Sequence, residues 1–582
     1  MKPFGPLVTS LRFATPRRIS APTAALLIGP SLVALSGCQP EAVAPVPVPD
    51  DWVQRAQVLS CWPLPEEQRS HFGVDVNGVW VGRSAEELAA EAAMGRPALV
   101  SIQGLAAEAE LLREYPELSE TISLDVFGQP SRVPWYDWLD EPVSTLSITH
   151  PAFQDYLWER GRQAIADGAH GLFVDEIQTS ALLVSLEPYG AGFAPWEVEA
   201  FLASVDQPSF AAYAAERWGL TTTLDLPAFL RDEAADAAVA RAELFASYRA
   251  FAEEDAFAAM SSVIARIRSH AADEGKSIAI GANLAGLGAL TEWSPLTAPI
   301  WQDSMDFVVF EHDPPTLQAA IAPYYQLGRA TLNGMVAAMP GLTLSDTLND
   351  MGGAGWLHMA YAEAFAFEGN WAVSYWAEEM GWEADALLPE DLRPSMEFVA
   401  AHRDLFEGSR APQSVALVYP NALILADPAV HEAWVETAEA LLAAHIPFDV
   451  AYSGDARFHA YEPDLSGYAT VLQPGDAVPD VGGAALEAPG RVFATSYDRE
   501  GRSGPVVHLV NRDYDEGSNS VRPKADVAVS IPLPNGWGAA GDAVLMAPGT
   551  GDVTVRWRGE GGRLRFTVPA LQTWVAVDVQ SS

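Results

Sequence analysis

Gly168-Ala-His-Gly-Leu-Phe-Val-Asp175, with Glu176 next, is the stretch on which the fold turns. An apolar run that stops on an acid is how a strand buried on both faces reads when it ends at a polar rim. Just upstream, Thr149-His150-Pro151 opens a helix, because proline suits the first helical turn, and Phe153, Tyr156, Leu157 and Ile165 recur at helical spacing. A helix feeding a strand is one unit of a βα-repeat. Working outward, the same texture predicts strands at Gly73–Val76, Ala98–Ile102, Ser144–Ile148, Gly171–Asp175, Ser277–Ala282, Asp306–Phe310, Ala330–Ala337 and Trp371–Tyr375. Eight such runs predict an α/β fold, a (β/α)8 TIM barrel over residues 70–408; the rival architecture is a doubly wound open sheet. Residues 178–272 interrupt the repeat with helical patterns, the longest running through Leu244, Tyr248, Phe251, Met260, Val263 and Ile267. An insertion after a barrel strand lies on the catalytic face and would wall the cleft.

Beyond Glu407-Gly408-Ser409 the pattern shortens. Ser414–Tyr419, a helix from His431 to Ala444, Phe448–Tyr452 and Ala469–Leu472 predict a small doubly wound α/β domain over 409–488, without a phosphate loop. Over 489–582, strands at Pro505–Asn511, Val527–Ile531, Ala543–Met546, Val553–Trp557, Leu564–Val568 and Trp574–Val579 predict an antiparallel β-sandwich.

At the other end, residues 1–37 combine Lys2, Arg12, Arg17 and Arg18 with an apolar run from Ala24 to Leu35, too short to span a bilayer comfortably. Leu35-Ser36-Gly37-Cys38 follows, and this arrangement resembles a bacterial lipoprotein signal in which Cys38 is lipidated. The expectation is an exported protein held at the bacterial cell envelope, on the outer membrane, by a lipid anchor. Residues 38–69 then read as a tether and lead-in. With Cys38 acylated only Cys61 remains, so neither an intrachain disulfide nor a cysteine zinc site is available.

The chain has 582 residues, with 34 basic against 77 acidic side chains and a net charge of -43. At roughly 100 to 200 residues per domain this length predicts about three domains. Hydrophobic content of 49% with 19% charged residues excludes a disordered or coiled-coil chain. The acidic excess argues against nucleic acid as a partner, since displacing counterions needs clustered Lys and Arg.

No Gly-x-Ser-x-Gly elbow, His-Glu-x-x-His pair or phosphate loop is present, so the chemistry falls to carboxylates and no cofactor or metal is expected. Strand ends converge on one face of a barrel, so acids far apart in sequence can oppose each other across a cleft. Alternation puts Asp175 on the face of Phe173 and Glu176 on the opposite one, which makes Asp175 the candidate nucleophile. Glu311, after Asp306-Phe-Val-Val-Phe310, is the candidate general acid, and a glycosidic bond is cleaved by such a pair. Asp75, Gln103, Glu176, Asn283, His312, Asp313 and Trp376 are the expected substrate-binding residues. Among the 18 Trp, including Trp135, Trp138, Trp371 and Trp376, one or two are expected to serve as platforms for sugar rings.

These motifs carry a resemblance. Ile148-Thr-His-Pro151 leading to Gly168–Asp175 resembles glycoside hydrolases of the hypothetical-glycosidase, dextranase and alpha-fucosidase type. The domain order is similar to that of the family 42 beta-galactosidases, although that family carries Asn-Glu where this chain has Asp175-Glu176. The resemblance implies an Asp nucleophile at the end of strand four, a later carboxylate as acid/base and, from family 42, oligomerisation through the middle domain. The expected function is a membrane-anchored retaining glycosidase acting on an oligo- or polysaccharide. The alternatives are a non-catalytic glycan-binding lipoprotein on a degenerate barrel and a structural envelope lipoprotein.

Overall fold

The computed structural model describes residues 48–582 other than 50, 56–57, 137–140, 187–188, 206–214, 217–224, 232–237, 285–297, 302, 315, 333, 352–353, 374–391, 407–412, 456, 459–460, 480–490, 499–503 and 582. Cys38, Trp138 and Trp376 lie outside the described residues. The strands of the first half are β1 (Val58–Ser60), β2 (Leu99–Gln103), β3 (Ala106–Ala107), β4 (Ser144–Thr145), β5 (Gly171–Asp175), β6 (Ala279–Leu284), β7 (Phe307–His312), β8 (Val336–Pro340) and β9 (Asn370–Val373). Seven of them form one parallel sheet in the order β1-β9-β8-β7-β6-β5-β2. That order never reverses, so the sheet has no switch point and is not the doubly wound alternative.

The sheet curls toward closure. Leu59 forms a parallel bridge with Val76, and the Ser101 N–H donates to the Val81 carbonyl at 3.0 Å, so residues 76–81 lie between β1 and β2. The run predicted at Gly73–Val76 is therefore this bridge, and the first strand is β1, within the stretch read as lead-in. The reason is local: Asp75 and Val76 hydrogen-bond along Val58 and Ser60 for only a few residues before Gly78 turns the chain. Ahead of β1, the short helix Trp52–Arg55 packs Trp52 and Val53 among the residues that fill the barrel interior.

Alternation along the strands sorts two cores. Leu59, Leu99, Phe173, Phe307, Val309, Ala337, Met339 and Ala372 point inward as one cluster, while Val100, Leu172, Val174, Ile280, Val308, Phe310 and Ala338 pack outward against the helices. Gly281 shows how tightly the interior is filled, because a Cβ there would sit 2.1 Å from the Phe307 ring. The predicted strand Ser144–Ile148 does not join the barrel. Only Ser144 and Thr145 are extended, as β4 paired antiparallel with β3, and Leu146 donates to the Leu105 carbonyl at 2.7 Å. The run predicted from Ala330 begins inside the helix Ala322–Thr331, and β8 starts only at Val336. Where described, 178–272 is helical, ending in the 36-residue helix Ala238–Asp273, which packs along Pro151–Ala166. Among the described residues no helix is long and apolar enough to cross a membrane.

Next come β10 (Val415–Pro420), β11 (Asp449–Ser453) and β12 (Thr470–Leu472), a parallel three-stranded sheet in the order β11-β10-β12. The C-terminal region holds β13 (Val492–Asp498), β14 (Pro505–Asn511), the short pair β15 (Tyr514–Asp515) and β16 (Ser520–Val521), β17 (Lys524–Pro532), β18 (Ala540–Met546), β19 (Val553–Glu560), β20 (Arg563–Leu571) and β21 (Trp574–Val579). All but β15 and β16 form one antiparallel sheet in the order β13-β14-β21-β18-β19-β20-β17, rather than the two sheets of the expected sandwich. Val492 and Ala494 of one edge share a core with Val527, Val529 and Ile531 of the other. Seven flat strands would hold these edges nearly 30 Å apart, at about 4.8 Å per step, so the sheet curls over its own core.

The barrel and this sheet are joined by a buried ion pair. Glu363, on the barrel helix Gly355–Ala366, accepts from Arg512 and from the Ile321 and Ala322 N–H groups, the latter two at 2.9 and 3.1 Å.

Candidate active site

Four inward-facing residues meet at the C-terminal ends of β2, β5, β6 and β7. Gln103 stands in register opposite Asp175, and its amide donates to Asp175 Oδ2 at 3.0 Å. Asp175 Oδ1 receives the Trp80 indole N–H at 2.9 Å and Asn283 Nδ2 at 3.3 Å. The same Asn283 Nδ2 donates to Glu311 Oε1 at 3.0 Å. One amide therefore bridges the two predicted catalytic carboxylates. With one hydrogen per acceptor, about 120° apart, those oxygens lie roughly 5.5 Å from each other and at most roughly 6 Å.

The electrostatics separate the acids. Burial raises the Asp175 carboxyl, but bonds from Trp80, Asn283 and Gln103 pull it back toward the charged form. Glu311 has one such donor; burial, opposed by Asn283 and aided by the charges of Asp313 and Asp175, pushes it up to about 7. Asp175 is thus the better-supported anion and Glu311 the acid that keeps its proton near neutrality.

Glu176 belongs to the same cluster. Its backbone is left-handed, with φ of 55°, an uncommon conformation for a residue with a side chain. The side chain is buried, and Oε1 takes the Trp135 indole N–H at 2.6 Å. Burial, then the charge of Asp175, raises this carboxyl well above the usual range. The Tyr136 hydroxyl is pushed up as well, by burial and then by the charges of Asp175, Glu176 and Glu311.

Other expected site residues fall elsewhere. Asp75 pairs with Arg403 at 2.6 Å and accepts from Val58 N, because it precedes a bridge rather than ending a barrel strand. His312 has the opposite parity to Glu311 and points outward, stacked on Trp356 at 6.3 Å; burial lowers it to about 3. Asp313 accepts from Leu344 N at 2.8 Å and fixes the start of the helix Leu342–Met351. Trp371 is core, packed on Tyr361 behind the sheet. The sequence does not single out Trp80 or Tyr136, and it offers Trp135 only as one of several tryptophans among which sugar platforms are expected. Both indoles reach the acids only through long-range contacts, so no local sequence pattern announces them.

Comparison with protein-family models gives no match, and neither does comparison with the curated proteins. Solved structures do match in fold. The alpha-L-fucosidase isoenzyme 2 from Paenibacillus thiaminolyticus is 11% identical, with 91% of this chain and 100% of that one covered at a TM-score of 0.52. A beta-galactosidase from the psychrophilic Marinomonas ef1 is 10% identical, covering 90% of this chain and 100% of that one at a TM-score of 0.46. Gan42B, a GH42 beta-galactosidase, is 10% identical, covering 85% and 90% at a TM-score of 0.48. Such likeness concerns fold alone: the chain has a glycosidase-like, TIM-barrel-related architecture.

Proposed function

We propose that the protein is a glycoside hydrolase that cleaves an oligo- or polysaccharide with retention of configuration. Asp175 attacks the anomeric carbon while Glu311 gives its proton to the departing glycosidic oxygen; Glu311 then takes a proton from the water that releases the sugar from Asp175. The observation that carries this reading is the Asn283 amide shared by Asp175 and Glu311. The spacing it sets, roughly 5.5 Å, suits direct attack and leaves too little room for the water an inverting enzyme places between its acids. Gln103 supports Asp175, and Cys38 is assigned as the site of the lipid anchor that would hold the enzyme at the cell envelope.

A signal-less protein starting at Asp50 tests the assignment on a panel of chromogenic glycosides and polysaccharides, beside Asp175→Asn and Glu311→Gln. Sugar release that both folded variants lose supports it. Glycan binding without turnover in the unaltered protein replaces it with a binding role, and neither binding nor turnover removes both.

A further inference from the structure

Three carboxylates share the site, and the mechanism uses two. The third, Glu176, is the group the reaction leaves unexplained. Its backbone is held in the left-handed region at φ of 55°, a cost of order 1 to 3 kcal/mol that the surroundings must impose. One oxygen accepts from Trp135; the other, Oε2, is buried with no hydrogen-bond partner among the described residues. Among the described residues, the titratable groups coupled to Glu176 are Asp175, Glu311 and Tyr136, none of them a cation. A buried carboxylate needs several donors or a positive partner to stay charged, as Asp175 shows with three N–H donors. Among the described residues Glu176 has one donor, and the charges of two acids act on it.

Resting on the glycosidase reading, we propose that Glu176 is a positioning residue that works as a neutral acid, holding a second proton beside the Asp175–Glu311 pair so that Asp175 is the one charged carboxylate of the cluster. A charge on Glu176 would oppose the anion at Asp175 and hold the Glu311 proton too tightly to be given up. The neutral carboxyl still accepts from Trp135, which fixes the segment next to Asp175. Burial and the adjacent Asp175 act in the same direction on its ionisation.

The test separates this proposal from the reading beneath it. In the infrared difference spectrum, wild type minus Glu176→Gln near pH 7, the carbonyl band of a protonated carboxyl is expected. A carboxylate band in its place overturns the proposal whether or not the protein turns over any sugar. In kinetics, Glu176→Ala is expected to lower kcat by about 100-fold as the support of Asp175 loosens, and Glu176→Gln to recover it to within about tenfold. The alkaline limb of kcat/KM in Glu176→Gln should coincide with that of wild type. A fall of that limb by about half a unit or more means that a negative charge was removed, and refutes a neutral Glu176. A protein with the protonated band but no turnover keeps the assignment of the proton and loses the glycosidase reading.

Discussion

Replacing Glu311 by Gln should stabilise the protein while removing its activity, and the size of the gain should depend on pH. Burial, opposed by the Asn283 bond, holds this carboxyl at about 7 against an ordinary 4.5. Below the unfolded value both states are protonated and nothing is lost. As pH rises from there, the unfolded chain releases its proton while the folded one retains it, so stability falls until the folded group ionises as well. At about 1.4 kcal/mol per unit, the penalty is about 3 kcal/mol when complete, an upper figure because Glu311 is only part-buried at the barrel mouth. Glutamine accepts the same bond from Asn283 and carries no ionisable proton. At roughly 2 cal/mol/K of unfolding entropy per residue, a unit of roughly 540 residues unfolding together converts that penalty into a rise in Tm of about 3 °C at about pH 8.5, shrinking to about 0.7 °C at about pH 5. Scanning calorimetry of wild type and variant at both pH values reads the difference. A gain equal at both values, or none at the alkaline one, refutes the claim that Glu311 is a strained acid.

Trp80→Phe removes one of three donors from Asp175 and should move the acid limb of kcat/KM upward by about one unit, read from a pH–rate profile. Asn283→Asp removes the N–H donor shared by the two candidate catalytic acids; the alkaline limb assigned to Glu311 should rise by about one unit and kcat should fall by about 100-fold. Arg512→Met leaves Glu363 buried without its guanidinium and should cost about 3 to 5 kcal/mol, seen in calorimetry as a C-terminal transition that separates from that of the barrel.

The site could be read from the sequence as far as period-two alternation reaches. Asp175, Gln103, Asn283 and Glu311 share parity with Phe173, Leu99, Ala279 and Phe307, and those four apolar residues lie in the barrel interior. The same rule, applied to the neighbour of Glu311, turns His312 outward, where the structure has it. What alternation cannot supply is which runs become strands. Ser144–Ile148 has the same texture as a barrel strand, yet β3 and the loop residues Thr121 and Ser131 offer its backbone partners first. The run at Val58–Ser60 is three residues long, below the length at which a pattern can be recognised, and gains its place only by pairing with β9, some 310 residues away. Trp80 and Trp135 reach the acids from loops, where position follows from long-range contacts rather than from any local period.

The distribution of donors decides the roles more firmly than the identity of the acids does. Three coupled carboxylates whose ionisation burial opposes are not all charged together, so each N–H aimed at one of them favours the loss of that proton. Among the described residues Asp175 has the side-chain donors Trp80, Gln103 and Asn283, Glu311 shares Asn283, and Glu176 has Trp135. In the proposed mechanism that order, three to one to one, favours the anion at Asp175 and leaves burial to favour the proton on the other two. On this proposal β5 and the turn after it carry two adjacent acids in opposite states: Asp175 faces inward and is supported as an anion by amide and indole donors, and Glu176, whose own backbone is left-handed, is turned aside and buried. In the proposed mechanism, interchanging them would put the poorly supported carboxylate on the reacting side, so the proposal requires Asp, not Glu, on the inward parity.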